Sequence, residues 1–222
     1  MTEADLRREL ARVGRSLHAR GYVHGTTGNL SARLDDDCVL ITATDACLGE
    51  LDDDAIVKVD AEGRPTIAGA RPSKTLALHR RIYAAEPEAR CVIHTHSSRL
   101  VQASLALPTG ESQDDFLPPI TPYFVMKVGH VPLVAYHRPG DPAVAERIAA
   151  AIERFRRAGV PIRAVMLSRL GPNVWHASPA QAMAVLEELE ETARLWVDAA
   201  RRPEPLSPTQ IDELRTHFGA RW

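Results

Sequence analysis

The sequence predicts a mixed α/β fold, with a single domain over residues 1–222. Short apolar runs bounded by turn residues alternate with stretches whose apolar residues recur every three or four positions, which is typical of buried strands alternating with helices. The length of 222 residues corresponds to about one and a half average domains. Because no internal repeat or low-complexity tract divides the chain, we expect one unit with a C-terminal tail at residues 203–222 that ends in a short helix.

Each predicted element has its own local signal. Thr2 caps the first helix with Asp5 in the capping-box position, and Ser73 and Asp141 cap later helices. The predicted helices cover residues 3–20, 74–83, 97–105, 142–155 and 178–201, and the predicted strands cover 38–42, 56–59, 90–96, 131–136 and 164–168. Residues 25–31 and the proline-rich segment 106–122 are predicted loops, and a proline at position 132 favours an edge strand.

Composition and charge exclude several classes of protein. Apolar residues make up 45% and charged residues 25% of the chain, an ordinary balance for a soluble globular protein. The formal net charge of −2, from 27 basic and 29 acidic side chains, argues against a nucleic-acid partner. No apolar run approaches the roughly 18 residues of a membrane span. The three cysteines form no disulfide pattern, so we expect a cytoplasmic protein.

The sharpest chemical signal is the pair His94 and His96, separated by one residue at the end of a predicted strand. Side chains two apart on a strand project from the same face, so both imidazoles can bind one divalent cation. The alternative is one core histidine beside one surface histidine. The pattern therefore predicts a metal site that the sequence alone does not complete.

Two loops of small residues form a second signal, Gly28-Asn29 and Pro72-Ser73. Each can offer backbone N–H groups, and a helix start adds partial positive charge that favours a phosphate or carboxylate. Lys74 is a cation in the first turn of the predicted helix, which is unfavourable unless an anion lies nearby. The alternative is that both loops are ordinary capping turns.

Together these segments resemble the class II aldolase/adducin family over about residues 5–200. The resemblance rests on Gly-Thr-Thr-Gly-Asn-Leu-Ser, Ile-Thr-Ala-Thr-Asp, Pro-Ser-Lys-x4-His, Val-Ile-His-Thr-His-Ser and Leu-Ser-Arg-Leu-Gly-Pro, in this order. The Pro-Ser-Lys helix start and the segments at 120–130 and 136–141 look most like the family's 3-oxo-tetronate 4-phosphate decarboxylase branch. The resemblance implies a three-layer α/β fold with a central mixed sheet.

The resemblance also implies a function. Family members are carbon–carbon lyases, usually homotetramers, that use a divalent metal ion, usually zinc, to stabilise an enediolate formed from a small sugar-derived phosphate. Carried over position by position, the phosphate-binding residues are Gly28, Asn29, Thr44, Ser73 and Lys74, and the metal ligands are His94 and His96. Tyr123, in a loop typical of the branch, is a candidate proton donor to the enediolate.

Three positions depart from the family pattern. Thr75 stands where the family has its acid/base glutamate, and its hydroxyl has no pKa near neutrality. Leu170 stands where the family has the third metal histidine, so we expect weaker metal binding. Asp45 replaces a glycine that is usual in the phosphate loop and brings a carboxylate close to a phosphate. These departures point to a changed or abandoned reaction.

Several alternatives therefore stay open. His79 or Asp45 is a possible third metal ligand, and two histidines with one carboxylate is the arrangement of non-haem iron oxygenases. The other alternative is a relative without catalysis, as in adducin. The main expectation is a metal-dependent carbon–carbon lyase that acts on a small phosphorylated or acidic sugar derivative.

Overall fold

A computed structural model describes residues 2–52 and 54–222. Its helices are α1 (Glu3–Ala19), α2 (Leu76–Ala85), α3 (Ser98–Leu105), α4 (Pro142–Arg157), α5 (Pro179–Asp198) and α6 (Pro208–Phe218). Its strands are β1 (Asn29–Arg33), β2 (Val39–Thr42), β3 (Ile56–Val59), β4 (Cys91–His94), β5 (Leu133–Val134), β6 (Ala164–Leu167) and β7 (Gly171–His176). A 3₁₀ turn covers Leu48–Glu50, and a π-helical turn covers Phe124–Val128.

The seven strands form one mixed sheet in the order β3-β2-β1-β4-β7-β6-β5. Neighbouring strands are antiparallel except β5 and β6, which are parallel. One face packs against α1, α3 and α5 around a core that includes Leu10, Ile93 and Val174. The other face packs against α2 and α4 around Ile82 and Ile148. This arrangement confirms the predicted three-layer α/β fold.

The caps that the sequence predicts are largely present. The Thr2 hydroxyl accepts from the backbone N–H of Asp5, whose carboxylate accepts from the N–H of Thr2, so the capping box is complete. The side chains of Asp141 and Ser178 cap α4 and α5. The strand with Pro132 before it, β5, lies at one edge of the sheet, as expected.

Two strands run through segments that the sequence did not predict as strands. Strand β1 begins at Asn29, inside the predicted loop 25–31, and pairs with β2 and β4 on its two sides. Strand β7 was not predicted and pairs with β4 and β6. Both carry polar residues on a buried face, so their apolar patterns are weak. Tertiary pairing supplies the hydrogen bonds that the pattern does not reveal.

The second helix also begins later than predicted. Ser73 is not its cap: the helix starts at Leu76, and Thr75 occupies the cap position. The predicted strand at 131–136 shortens to Leu133–Val134. Over residues 2–52 and 54–222, no helix has the length and apolar character that crossing a membrane requires.

Candidate active site

A cleft of about 590 Å³ opens at one end of the sheet, on the face covered by α2 and α4. Loops 26–29 and 43–45 and the start of α2 form one end of its wall. The opposite end is formed by the residues around Leu170 and by the segment 135–142 that leads into α4. The structure thus brings both loops and both histidines of the sequence analysis to one cleft.

The floor of the cleft is a row of three polar side chains on neighbouring strands. His94 on β4 pairs with Asn29 on β1 and with Asn173 on β7. Directly paired residues project from the same sheet face, with Cβ atoms about 5 Å apart. All three residues are buried, at 7%, 5% and 1% exposure for Asn29, His94 and Asn173.

His94 and His96 lie side by side, with ring centroids 5.1 Å apart and ring planes at 68°. The Nδ1 atom of His94 lies 2.9 Å from the carbonyl oxygen of Pro172, which leaves Nε2 as the free ring nitrogen. Burial, and then the neighbouring His96, lower the pKa of His94 to about 4. Burial, and then His24, lower the pKa of His96. Both rings are therefore held neutral, the form that binds a metal ion.

His24 is a neighbour of this pair that the sequence analysis did not assign. Its ring centroid lies 6.3 Å from that of His96. The loop that carries it is closed by Thr27, whose hydroxyl accepts from the His24 N–H and donates to the His24 carbonyl. The proximity arises from the fold, because Gly28 turns the chain back toward β4.

The candidates for a third metal ligand, His79 and Asp45, lie in different environments. His79 is fully buried, its Nδ1 lies 2.7 Å from the hydroxyl oxygen of Ser31, and burial lowers its pKa to about 3. Asp45 lies at the exposed rim, and Leu170 presents only carbon to the cleft. Outside Met1 and Asp53, no group of three His, Cys, Asp or Glu side chains is arranged to hold a metal ion. The residues present fit a cation bound through two protein nitrogens.

The start of α2 forms the end of the cleft that the sequence predicts to bind an anion, called the anion-binding end below. Thr75 at the cap position makes no side-chain capping bond, and the first turn of α2 lines the cleft through Ala77 and Leu78. The start of a helix leaves backbone N–H groups without an intrahelical partner, which suits an anion. The Thr75 hydroxyl instead donates to Oδ1 of Asn29 at 2.9 Å and lies 2.9 Å from the Ser73 hydroxyl. Thr75 therefore joins the helix start to strand β1.

Thr44, Lys74 and Asp45 complete this end. The hydroxyl of Thr44 donates to the carbonyl oxygen of Pro72 at 2.7 Å, which holds the two loops together. Lys74 is exposed and lines the cleft. Asp45 lines the same wall with φ of 63°, in the left-handed region that costs little for Asp. A cation, a carboxylate and an open helix start thus share one end of the cleft.

Two glycines fix how closely the cleft segments approach. At Gly28, with φ of 79°, a Cβ atom would lie 2.6 Å from Val23 Cγ1 and 2.9 Å from the carbonyl oxygen of His94. At Gly171, with φ of 141°, a Cβ atom would overlap the carbonyl oxygen of Thr95. The glycines of the Gly-Asn and Gly-Pro motifs are required because the histidine segment passes directly against both Gly28 and Gly171.

Tyr123 is not brought to the cleft of its own chain. It precedes the π-helical turn, is 60% exposed and does not line the cleft. The structure adds cleft residues that sequence reasoning missed, including Arg138 and Asn173. Asn173 has no short motif of its own, so the strand register with His94 is the observation that identifies it.

Comparisons with known proteins agree with this geometry. The family model of the class II aldolase and adducin N-terminal domain matches residues 8–197. A 3-oxo-tetronate 4-phosphate decarboxylase of Cupriavidus necator is 52% identical over 227 aligned positions, which cover 100% of this chain and 99% of that protein. The enzyme of the same name from Pectobacterium atrosepticum is 39% identical, covering 96% of this chain and 94% of that protein.

Solved structures of similar proteins have the same fold as this chain. YgbL of Klebsiella pneumoniae, described as an aldolase, epimerase or decarboxylase, has a TM-score of 0.86 at 39% identity, covering 97% of this chain and 100% of that one. An L-fuculose 1-phosphate aldolase has a TM-score of 0.80 at 21% identity, covering 99% of this chain and 98% of that one, and supports the fold alone. The chain therefore belongs to the class II aldolase and adducin family.

Proposed function

We propose that this protein is a carbon–carbon lyase that removes carbon dioxide from a phosphorylated 3-oxo acid of the 3-oxo-tetronate 4-phosphate class. The observation that carries the proposal is the cleft, in which a helix start without a side-chain cap, beside Lys74, adjoins two neutral imidazoles, one buried and one half-buried. The relatives named 3-oxo-tetronate 4-phosphate decarboxylase, at 52% and 39% identity, support the same substrate class.

The phosphate group is assigned to the end of the cleft formed by Gly28, Ser73 and Lys74. The start of α2 has no side-chain cap, and the positive end of the helix dipole favours an anion there. Thr44 acts by holding the two loops together, since its hydroxyl is bonded to Pro72. Asn29 accepts a hydrogen bond from the Thr75 hydroxyl and is paired with His94 on the neighbouring strand. It therefore connects this end of the cleft to the histidines.

Decarboxylation breaks the bond between C1 and C2 of the acid, and the bonding electrons move through C2 and C3 onto the C3 oxygen. Carbon dioxide leaves, and the enediolate takes up a proton at C2 to give a phosphorylated ketose with one carbon less. The protein must therefore stabilise negative charge on an oxygen and supply a proton. In our proposal the reacting carbons lie beside His94 and His96, which line the same cleft.

His94 and His96 are the residues that would hold a divalent cation, for which we propose zinc. Both imidazoles are kept neutral, and His94 is oriented by the carbonyl of Pro172. Such a cation supplies Lewis-acid stabilisation of the developing charge. Two protein ligands imply a lower affinity than three.

Thr75 is assigned a positioning role between α2 and β1, since its hydroxyl cannot act as an efficient base near neutrality. Tyr123 is exposed, so in our proposal it can donate a proton only to the cleft of a second copy. This requirement fits a homotetramer, the assembly that the family resemblance implies. We also propose a cytoplasmic enzyme working as one domain, supported by three free thiols and one continuous sheet.

A second candidate is a binding protein that recognises the phosphorylated acid without converting it. Thr75 and Leu170, which stand in place of an acid/base and a third metal ligand, favour this candidate. Such a protein binds the phosphorylated acid at the anion-binding end and catalyses no reaction. An iron oxygenase receives no support, because the described residues lack the grouping of two histidines with a carboxylate.

The test is release of carbon dioxide from freshly generated 3-oxo-tetronate 4-phosphate, measured against the uncatalysed rate with and without zinc. We expect one equivalent of ketose phosphate for each carbon dioxide. We expect His94→Ala to lower kcat/KM by about 100-fold, as removal of a catalytic electrostatic contact does. His217→Ala, on the surface of α6, is the matched control.

The binding of a non-reacting tetronate 4-phosphate is measured in parallel by calorimetry. A rate equal to that in buffer, with the phosphorylated acid still bound, would favour the binding protein. Absence of both binding and turnover would reject the substrate class.

A further inference from the structure

Asn173 is a buried polar residue whose hydrogen-bonding capacity is not used within the described chain. It is 1% exposed, it lines the cleft, and its Nδ2 atom has no hydrogen-bond partner among residues 2–52 and 54–222. Ser168, 2% exposed and lining the same wall, likewise has a hydroxyl without a partner there. Two buried polar side chains thus remain unpaired at one place in the cleft.

Unpaired buried donors are uncommon because their desolvation is not repaid by a hydrogen bond, so each one needs an explanation. Strand β7 offers a direct comparison at Trp175, two residues farther along on the same face. Its Nε1 is also unpaired among the described residues, but Trp175 lies away from this cleft, in the core under α2 and α4. For Asn173 the cleft provides the missing partner, namely a bound molecule.

The position of Asn173 indicates which part of that molecule it meets. The row Asn29, His94, Asn173 crosses three adjacent strands, so β1 and β7 are about 10 Å apart. The anion-binding end is on the β1 side, where Asn29 accepts from Thr75. With the phosphate at that end, the inferred pose lays the four-carbon acid along this row, so that its C3 oxygen reaches the side chain of Asn173.

We infer that Asn173 is a catalytic residue whose side-chain N–H donates a hydrogen bond to the C3 oxygen as charge develops on it. This inference rests on the proposed decarboxylation. The bond between C1 and C2 breaks, carbon dioxide leaves with C1, and the electron pair reaches the C3 oxygen, where the amide donor lowers the energy of the anion. The C2 carbon then takes up a proton, so the step needs no oxidant or further reactant.

The same inference explains how an oxyanion can be stabilised although Leu170 replaces the third metal histidine. A cleft that lacks the third metal histidine has weaker electrostatic stabilisation of an oxyanion, and Leu170 lies in the same wall as Asn173. A neutral donor from the neighbouring strand supplies part of what the missing ligand would supply. The two positions, two and five residues after Ser168, belong to one short segment.

The experiment compares the intact protein with Asn173→Leu and with Trp175→Phe. Both variants remove a buried unpaired N–H from the same face of β7, but only the first changes the cleft. We expect Asn173→Leu to lower kcat for carbon dioxide release by about 100-fold, with a much smaller change in KM. We expect Trp175→Phe to keep kcat within about threefold.

Folding is checked by the midpoint of thermal unfolding without ligand. We expect Asn173→Leu to raise this midpoint by about 2 °C, because a buried unpaired donor is removed. Asn173→Asp, which keeps the size but replaces the donor with a carboxylate, provides a second variant. We expect it to lose at least as much kcat as Asn173→Leu.

The outcomes separate the inference from the function on which it rests. Unchanged kcat in folded Asn173→Leu, with the intact protein active, would overturn the role of Asn173 and leave the lyase intact. An equal rise of KM for all substrates with constant kcat would also overturn it. No turnover by the intact protein would remove the proposed function, and the inference with it.

Discussion

The two ends of the cleft differ in composition, since one is formed mainly by backbone and the other by side chains. The anion-binding end consists mainly of backbone, with Gly28 in a left-handed conformation and the first turn of α2 open to the cleft. The reacting end consists of side chains on β4 and β7, where Leu170 and Asn173 adjoin the histidines. Backbone geometry depends on the whole fold, whereas a single side chain can change without moving the strands. The departures from the family pattern at Leu170 and Thr75 are changes of single side chains.

The strongest way to break this comparison is to disturb the backbone at the reacting end. We expect Gly171→Ala to lower the free energy of unfolding by at least about 4 kcal/mol, because its Cβ would overlap the carbonyl oxygen of Thr95. Urea unfolding followed by circular dichroism measures the effect. Gly140→Ala is the control: it also has positive φ, but nothing lies within 4 Å of its Cβ, so we expect a cost of only about 1 kcal/mol. Equal costs for both variants would contradict the close approach.

A second effect comes from the buried imidazoles of His79 and His94. Their folded pKa values of about 3 and about 4 lie below the ordinary histidine pKa of 6.5, because both imidazoles are buried. The folded chain therefore binds fewer protons than the unfolded chain in this range, and the stability present above pH 6.5 is lost as pH falls. Between pH 6 and pH 4 we expect a slope of up to about 2.7 kcal/mol per pH unit from the two groups.

Urea unfolding at a series of pH values measures this slope. His79→Leu removes one of the two groups, so the slope falls to about 1.4 kcal/mol per pH unit. His217→Ala, exposed on α6, is the control for removal of a histidine outside the core. A slope that does not respond to His79→Leu would show that this imidazole is not held neutral by the fold.

Restoring the missing ligand sharpens the comparison at the level of side chains. We expect Leu170→His to bind zinc about tenfold more tightly than the natural chain, because it adds an imidazole beside His94 and His96. Competition with a chelator measures the affinity. Leu105→His, at the exposed end of α3, adds a histidine outside the cleft and should change nothing. An unchanged zinc affinity in Leu170→His would contradict the placement of residue 170.

Thr75→Glu combined with Leu170→His rebuilds both family positions. We expect the double variant to release carbon dioxide from 3-oxo-tetronate 4-phosphate faster than the natural chain, by about tenfold or more, because it regains a general base and a metal ligand. Each single variant, assayed beside it, is the control. Rates identical to the natural chain would count against the decarboxylase assignment.

The smallest effect is expected at the anion-binding end. Asp45→Gly removes a carboxylate from its wall, and we expect inorganic phosphate to bind about threefold more tightly because a repulsion between like charges is lost. Calorimetric titration measures the affinity. Asp37→Gly is matched to it, since Asp37 also has positive φ, of 60°, but lies outside the cleft. A similar gain in both variants would point to a backbone effect instead of charge.

Local patterns predicted much of the fold, because caps and apolar periodicity act within a few residues. Thr2 with Asp5, Asp141 and Ser178 marked helix starts that the structure contains. The sequence pattern predicts the start of α2 too early, because Ser73 has the chemistry of a helix cap. In the structure its hydroxyl instead lies close to that of Thr75. The apolar pattern does not predict strands β1 and β7, because their buried faces carry the polar residues Ser31 and Asn173.

The sequence by itself determined the family, the histidine pair and the two loops, since each is a short motif whose chemistry is local. Only the tertiary structure decided that His79 is fully buried, that Tyr123 lies outside its own cleft, and that Asn173 is paired with His94 on the neighbouring strand. Those relations join residues far apart in the chain. They are set by strand register and by packing between layers, which no local pattern records.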